Sequence, residues 1–115
     1  MASMVGTYKN EVTGEILKVT KADDSNGTMA GTLQVPMNGS SVTINITGQY
    51  HFINSTGPGT NLYFWGAQND PNLYESWSAS TDNSTYRELR AAGGRSVSSG
   101  STTSVSVLYG SFVRQ

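Results

Sequence analysis

Cysteine is absent from this chain, so neither a disulfide nor a thiolate metal site can form, and the redox compartment is left open. Histidine occurs once, at His51, and no cluster of His, Asp and Glu at metal-ligand spacing accompanies it. Nucleophilic catalysis needs a base beside a Ser, and His51 is the one ordinary candidate, so the expectation is a protein that is not an enzyme and carries no cofactor. Charge is scarce as well: 13% of residues are charged, seven basic against eight acidic, which gives no field to collect nucleic acid or an anionic membrane. No apolar run approaches a membrane span, and Met1 to Val5 lacks the basic-then-apolar pattern of a secretion signal. Met1 to Met4 reads as a cloning remnant, and a secreted protein whose leader has been removed is favoured over a cytoplasmic one. Helical periodicity is missing throughout.

What is present is β chemistry. Ser, Thr, Asn and Gly are plentiful, and 115 residues make a single domain, 1–115, able to bury one core. The most regular stretch is Ser41 to Ile53, where Val42, Ile44, Ile46, Gly48, Tyr50 and Phe52 alternate with Thr43, Asn45, Thr47, Gln49 and His51. The other strands are expected at Gly6–Val12, Glu15–Lys21, Thr28–Val35, Thr60–Ala67, Asn72–Ser80, Thr85–Ala92 and Thr102–Val113. Between them lie turn signals: Thr13-Gly14, Asp23 to Gly27, Pro36, Asn54 to Gly59, Gln68 to Pro71 and Thr81 to Ser84. Gly93 to Ser101 reads as a Gly/Ser loop without structure of its own.

Eight sequential antiparallel strands joined by hairpins favour a closed up-and-down β-barrel, because closure removes the edges a long meander would expose. A two-sheet sandwich is the weaker alternative, since its long crossover connections are missing. Ile44, Ile46 and Tyr50 are expected inside. Projecting alternate residues inward also gathers Tyr8, Asn10, Tyr63, Trp65, Glu75, Trp77, Tyr86, Glu88 and Arg90. These residues either fill a core in which Glu75 or Glu88 pairs with Arg90, or form an aromatic-walled cup for a small ligand with polar groups near one end.

Gly6-Thr7-Tyr8-Lys9-Asn10-Glu11-Val12-Thr13-Gly14, Gly27 to Leu33, Ile46-Thr47-Gly48-Gln49-Tyr50, Trp65, Ser76-Trp77-Ser78 and Leu108-Tyr109-Gly110 resemble the successive strand signatures of the avidin and streptavidin family, in order and at similar spacing. The resemblance covers nearly the whole chain. It implies an avidin-like eight-stranded barrel, dimeric or tetrameric, that binds biotin without catalysis at one open end. It also implies that Asn10 bonds the ureido oxygen of biotin and that Trp65 and Trp77 box its ring. Elsewhere the pattern departs. The first-hairpin Ser is Thr13 or Gly14, the Tyr completing the ureido set is Leu33, and the Ser and Thr meeting the thioether and tail are Leu73 and Glu75. The seventh-strand Trp is Tyr86 or Glu88, the last-strand acid is Ser111 or Phe112, and the Trp lent by a neighbouring subunit is Ser104. Each lost buried hydrogen bond removes about 1–3 kcal/mol, so the expected ligand is biotin bound more weakly than usual, or a related polar small molecule. The candidate ligand-binding set is therefore Tyr8, Asn10, Thr13, Leu33, Trp65, Glu75, Trp77, Tyr86 and Glu88. The alternative is a carbohydrate-binding, lectin-like oligomer, because Trp faces with Asn and Glu acceptors also suit sugars.

If Tyr63 and Trp65 point inward, Leu62, Phe64, Leu89, Val107 and Tyr109 point outward, a patch that predicts a homo-oligomer with Phe64 near the contact. A register swapped by one residue would put Leu62 and Phe64 inside and Trp65 outside.

Overall fold

The computed structural model describes residues 3–52, 59–69 and 72–115. The expected turn at Asn54–Gly59 lies outside them but for Gly59, and of the expected turn at Gln68–Pro71 only Asp70 and Pro71 lie outside, Gln68 and Asn69 being strand. The described segments are β1 (Gly6–Asn10), β2 (Ile16–Asp23), β3 (Thr28–Met37), β4 (Ser40–Phe52), β5 (Gly59–Asn69), β6 (Asn72–Asp82), β7 (Glu88–Ser99), β8 (Thr102–Tyr109) and β9 (Phe112–Arg114). Each pairs antiparallel with its neighbours, and β9 pairs with both β1 and β7, so the sheet closes on itself. β8 and β9 are one strand broken at Gly110, whose φ of 126° lies outside the range of ordinary L-residues. The fold is thus the closed eight-stranded up-and-down barrel, with Ile44, Ile46 and Tyr50 inside.

Hairpin chemistry sets the register. Met37 pairs with Ser40 across Asn38-Gly39, both at positive φ (52° and 77°), the geometry of a two-residue turn that follows the strand twist. The missing donor of Pro36 predicts that it ends the strand, but β3 continues through it to Met37. In an antiparallel ladder, hydrogen-bonded and non-bonded pairs alternate, so with Met37–Ser40 bonded, the Pro36 nitrogen faces away from β4 and no ladder bond is lost. A second correction concerns Gly93 to Ser99. It is the outer half of β7 and is paired on both sides, with β6 (Asn72–Ser98 to Trp77–Gly93) and with β8. At Gly93 the missing side chain has a steric reason: a Cβ there would lie 2.1 Å from the Ser76 carbonyl oxygen. β7 also begins at Glu88 rather than Thr85.

The core runs the length of the barrel: Tyr8, Leu17, Leu33, Ile44, Phe64, Leu73, Trp77, Leu89 and Phe112 are all buried. In β5 the inward residues are Thr60, Leu62, Phe64 and Gly66, so the swapped register is the observed one. Both faces of this strand carry bulky groups, which leaves parity undetermined by hydropathy. Tyr63 and Trp65 go outward because rings with a polar atom tolerate a half-wet position better than Leu and Phe do. Phe64 and Leu89 are therefore core residues, not part of any outer patch.

Candidate functional site

At the end of the barrel formed by the β1–β2 and β7–β8 turns, the apolar core gives way to charge. Trp77 packs against Phe112 at 4.9 Å (82°) and Phe64 at 6.5 Å (22°), with Phe64 and Phe112 meeting edge to face at 5.8 Å. Two residues before it on the same face, Glu75 accepts from Trp77 Nε1 at 2.7 Å through Oε1 and from Arg95 Nε at 2.9 Å through Oε2. Arg95 is the cross-strand partner of Glu75, so the sheet itself sets this contact. Its Nη2 lies 3.3 Å from Glu15 Oε1, without the alignment of a hydrogen bond. Glu15 and Glu75 are fully buried, while the Arg95 side chain keeps 18% of its surface open. Leu73 and Val97 are the next inward pair toward the mouth.

Glu15 arrives here through the β1–β2 turn. Gly14, at φ 78°, donates to the Asn10 carbonyl at 2.8 Å, and Asn10 N donates to the Glu15 carbonyl at 2.9 Å. Burial, reinforced by the Glu75 carboxyl beside it, pushes the Glu15 carboxyl up to about 9, against the weaker opposite pulls of Thr13 and Arg95. A carboxyl that holds its proton at neutral pH, a second carboxyl and a guanidinium thus share the site. Such a set can bind and orient a polar group, and Arg95 is the member that reaches solvent.

The predicted site residues separate into four places. Glu75 and Trp77 belong to this cluster. Asn10 borders it, buried, but its amide is committed: Oδ1 accepts from Val12 N at 3.0 Å and Thr13 N at 3.1 Å, and Nδ2 donates to the Gly110 carbonyl at 3.0 Å. Thr13 Oγ1 accepts from Glu15 N at 3.3 Å, and Leu33 is an apolar core residue. Tyr8 and Tyr86 are buried toward the opposite end. There Tyr8 Oη donates to the Met4 carbonyl at 2.7 Å, the Arg114 guanidinium lies 5.5 Å from the Tyr8 ring centre, and Tyr50 Oη donates to Asp24 at 2.6 Å. Burial raises the pKa of all three tyrosines.

Trp65 and Glu88 are corrections. Trp65 stands on the outer wall, stacked on Tyr63 at 5.5 Å and 13°, beside a groove of about 440 Å³ shared with Tyr74, Ser76 and Ser78. Glu88 and Arg90 are also outside, 4.0 Å apart and well exposed, a surface pair of little energetic weight. The partner of Glu75 is Arg95, not Arg90. Sequence reasoning missed Arg95 because it sat in a supposed loop. It missed Glu15 although Glu15, Leu17 and Val19 share one parity, a signal that placed it inward.

No protein-family model matches the chain, and no curated protein sequence matches it. Among solved structures, an avidin-like protein titled AVR2 superposes with a TM-score of 0.72 over 99% of this chain and 96% of its own, at 19% identity. The fold is therefore avidin-like.

Proposed function

We propose that the chain is a non-catalytic, small-ligand-binding barrel of the avidin type, taking biotin weakly or a related polar small molecule at the mouth. The observation that carries this reading is the Glu15–Arg95–Glu75–Trp77 cluster, which gathers two buried carboxyls and a partly open guanidinium at one end of the barrel. Arg95 meets the ligand and Trp77 reports it. Affinity falls well short of a very tight complex, because the Asn10 amide is spent on its own turn and on Gly110, and Phe64 and Phe112 fill the space around the indole. Titrating biotin and small carboxylates against tryptophan fluorescence tests this. A saturable change is expected, weakened by roughly 2 kcal/mol in Trp77→Ala, as for buried aromatic anchors. A flat response to every ligand sinks it.

One observation favours a second reading, carbohydrate binding: the outer groove sets Tyr63, Trp65 and Tyr74 around serine hydroxyls. Sugar binding lost in Trp65→Ala but kept in Trp77→Ala would select it. We also propose a homo-oligomer, at least a dimer, because Val105, Val107 and Tyr109 are 77%, 86% and 66% exposed on one face.

A further inference from the structure

A closed barrel should have no edges, yet this one leaves strand edges free at several places, and the chain treats them differently. β2 runs past the start of β1 from Thr20 to Asp23, and there it carries a bulge between Val19 and Lys21 together with Lys21 and Asp23. β3 runs past the start of β2 from Val35 to Met37, and there Pro36 removes the donor that would face outward. β4 and β5 part beyond Ile46 and Gly66, and there β4 carries Ser40, Ser41, Thr43 and Asn45. β8 is different. It pairs with β7 alone, its far edge has no partner among the described residues, and Thr102 to Val107 are all exposed. No charged residue and no proline occurs between Ser96 and Val113.

The groups on that edge follow from the turn. Ser99 pairs with Thr102 across the two-residue turn Gly100-Ser101, so Ser99–Thr102 is a bonded pair and bonding alternates from there. Thr103, Val105, Val107 and Tyr109 consequently aim their N–H and C=O groups away from β7. Their side chains, opposite Ser98, Ser96, Gly94 and Ala92, all lie on the outer face.

We infer that the β8 edge is a strand-addition site for the β8 edge of a second copy of this chain, which deepens the homo-oligomer reading above by naming its contact. With Ser106 on a two-fold axis perpendicular to the sheet, Val105 faces Val107 of the other copy and Thr103 faces Tyr109. All four outward-aimed residues then exchange both backbone bonds with their opposites. The edge is neutral along its whole length, so a copy of itself meets no like charge, and β-branched Val lies opposite β-branched Val. Antiparallel pairing sends the two barrel bodies in opposite directions along the shared strands, which avoids collision and turns the two Arg95 mouths toward each other. An extended peptide from another protein would need no such self-complementarity.

The test is Val105→Pro. Its nitrogen points away from β7, so the β7–β8 ladder keeps every bond while the new edge loses a donor and gains a ring in the way. Light scattering at micromolar concentration should give twice 12.3 kDa for the wild type and 12.3 kDa for the variant, with matching far-ultraviolet spectra. Hydrogen exchange on the wild-type dimer needs no variant, and should show the amides of Thr103, Val105, Val107 and Tyr109 protected. A wild-type monomer overturns the homo-oligomer reading and this contact with it. A wild-type dimer whose four amides exchange freely, or that survives Val105→Pro, keeps the oligomer and overturns the strand pairing. A monomer that instead binds a synthetic peptide of residues 101–110 also overturns the two-fold contact.

Discussion

Replacing Glu15 by Gln should make the protein more stable at alkaline pH and leave it nearly unchanged near pH 5. The folded carboxyl titrates at about 9 and the unfolded one at 4.5, so across that window the folded protein holds a proton that the unfolded chain has released. Raising the pH then favours unfolding, with a slope approaching 1.4 kcal/mol per pH unit as an upper limit, or about 4 kcal/mol between pH 5 and 8. That is a large part of an ordinary stability of about 5–15 kcal/mol. Gln has the shape of the protonated acid, yet it has no proton to lose. The Asp23 and Asp82 carboxyls, held low chiefly by hydrogen bonds from Ser25 and Ser84, act in the opposite sense, but only below the ordinary carboxylate range. Urea unfolding at pH 5, 6, 7 and 8 should show the wild-type midpoint falling with pH and the Glu15→Gln midpoint falling less. Parallel profiles for the two proteins would refute a buried, proton-holding Glu15.

Asn10→Ala removes three hydrogen bonds at a buried position, so it should cost about 2–4 kcal/mol of stability, measured by thermal or urea unfolding. Trp65→Phe should change stability by less than about 0.5 kcal/mol while removing the emission that acrylamide quenches. The remaining Trp77 emission should be blue-shifted and shielded, since that side chain is 1% exposed.

The sequence was most legible where one face of a strand is apolar and the other polar. β4 has that pattern from Val42 to Tyr50, and its inward residues are those its alternation indicates. β5 has apolar groups on both faces, and period two alone could not choose between Phe64 and Trp65. That single ambiguity moved Trp65 from the interior to the outer wall and Phe64 from a supposed contact into the core. The site was less legible because its partners come from distant strands: Arg95 and Glu15 are 80 positions apart, and only barrel closure brings them together. Composition also misled at Gly93 to Ser99, a run of small residues that is paired strand rather than loop, with Gly93 pressed against the Ser76 carbonyl.

Barrel closure rests on a short seam. β1 and β9 share three residue pairs, Tyr8–Arg114, Lys9–Val113 and Asn10–Phe112, and the first of these joins positions 106 residues apart. Every other seam within the sheet is built mostly from hairpins between consecutive strands, so closing the first strand onto the last carries the largest loop entropy and comes late in folding. The two ends are nevertheless neighbours, since Arg114 donates to the carbonyls of Ser3 and Val5 at 2.7 Å each. A circular permutant that joins them through a short linker and opens the chain at Asn38-Gly39 would convert the most remote contact into a local one. It would move the slow step of folding to the β3–β4 pair, which becomes the new, and much longer, seam.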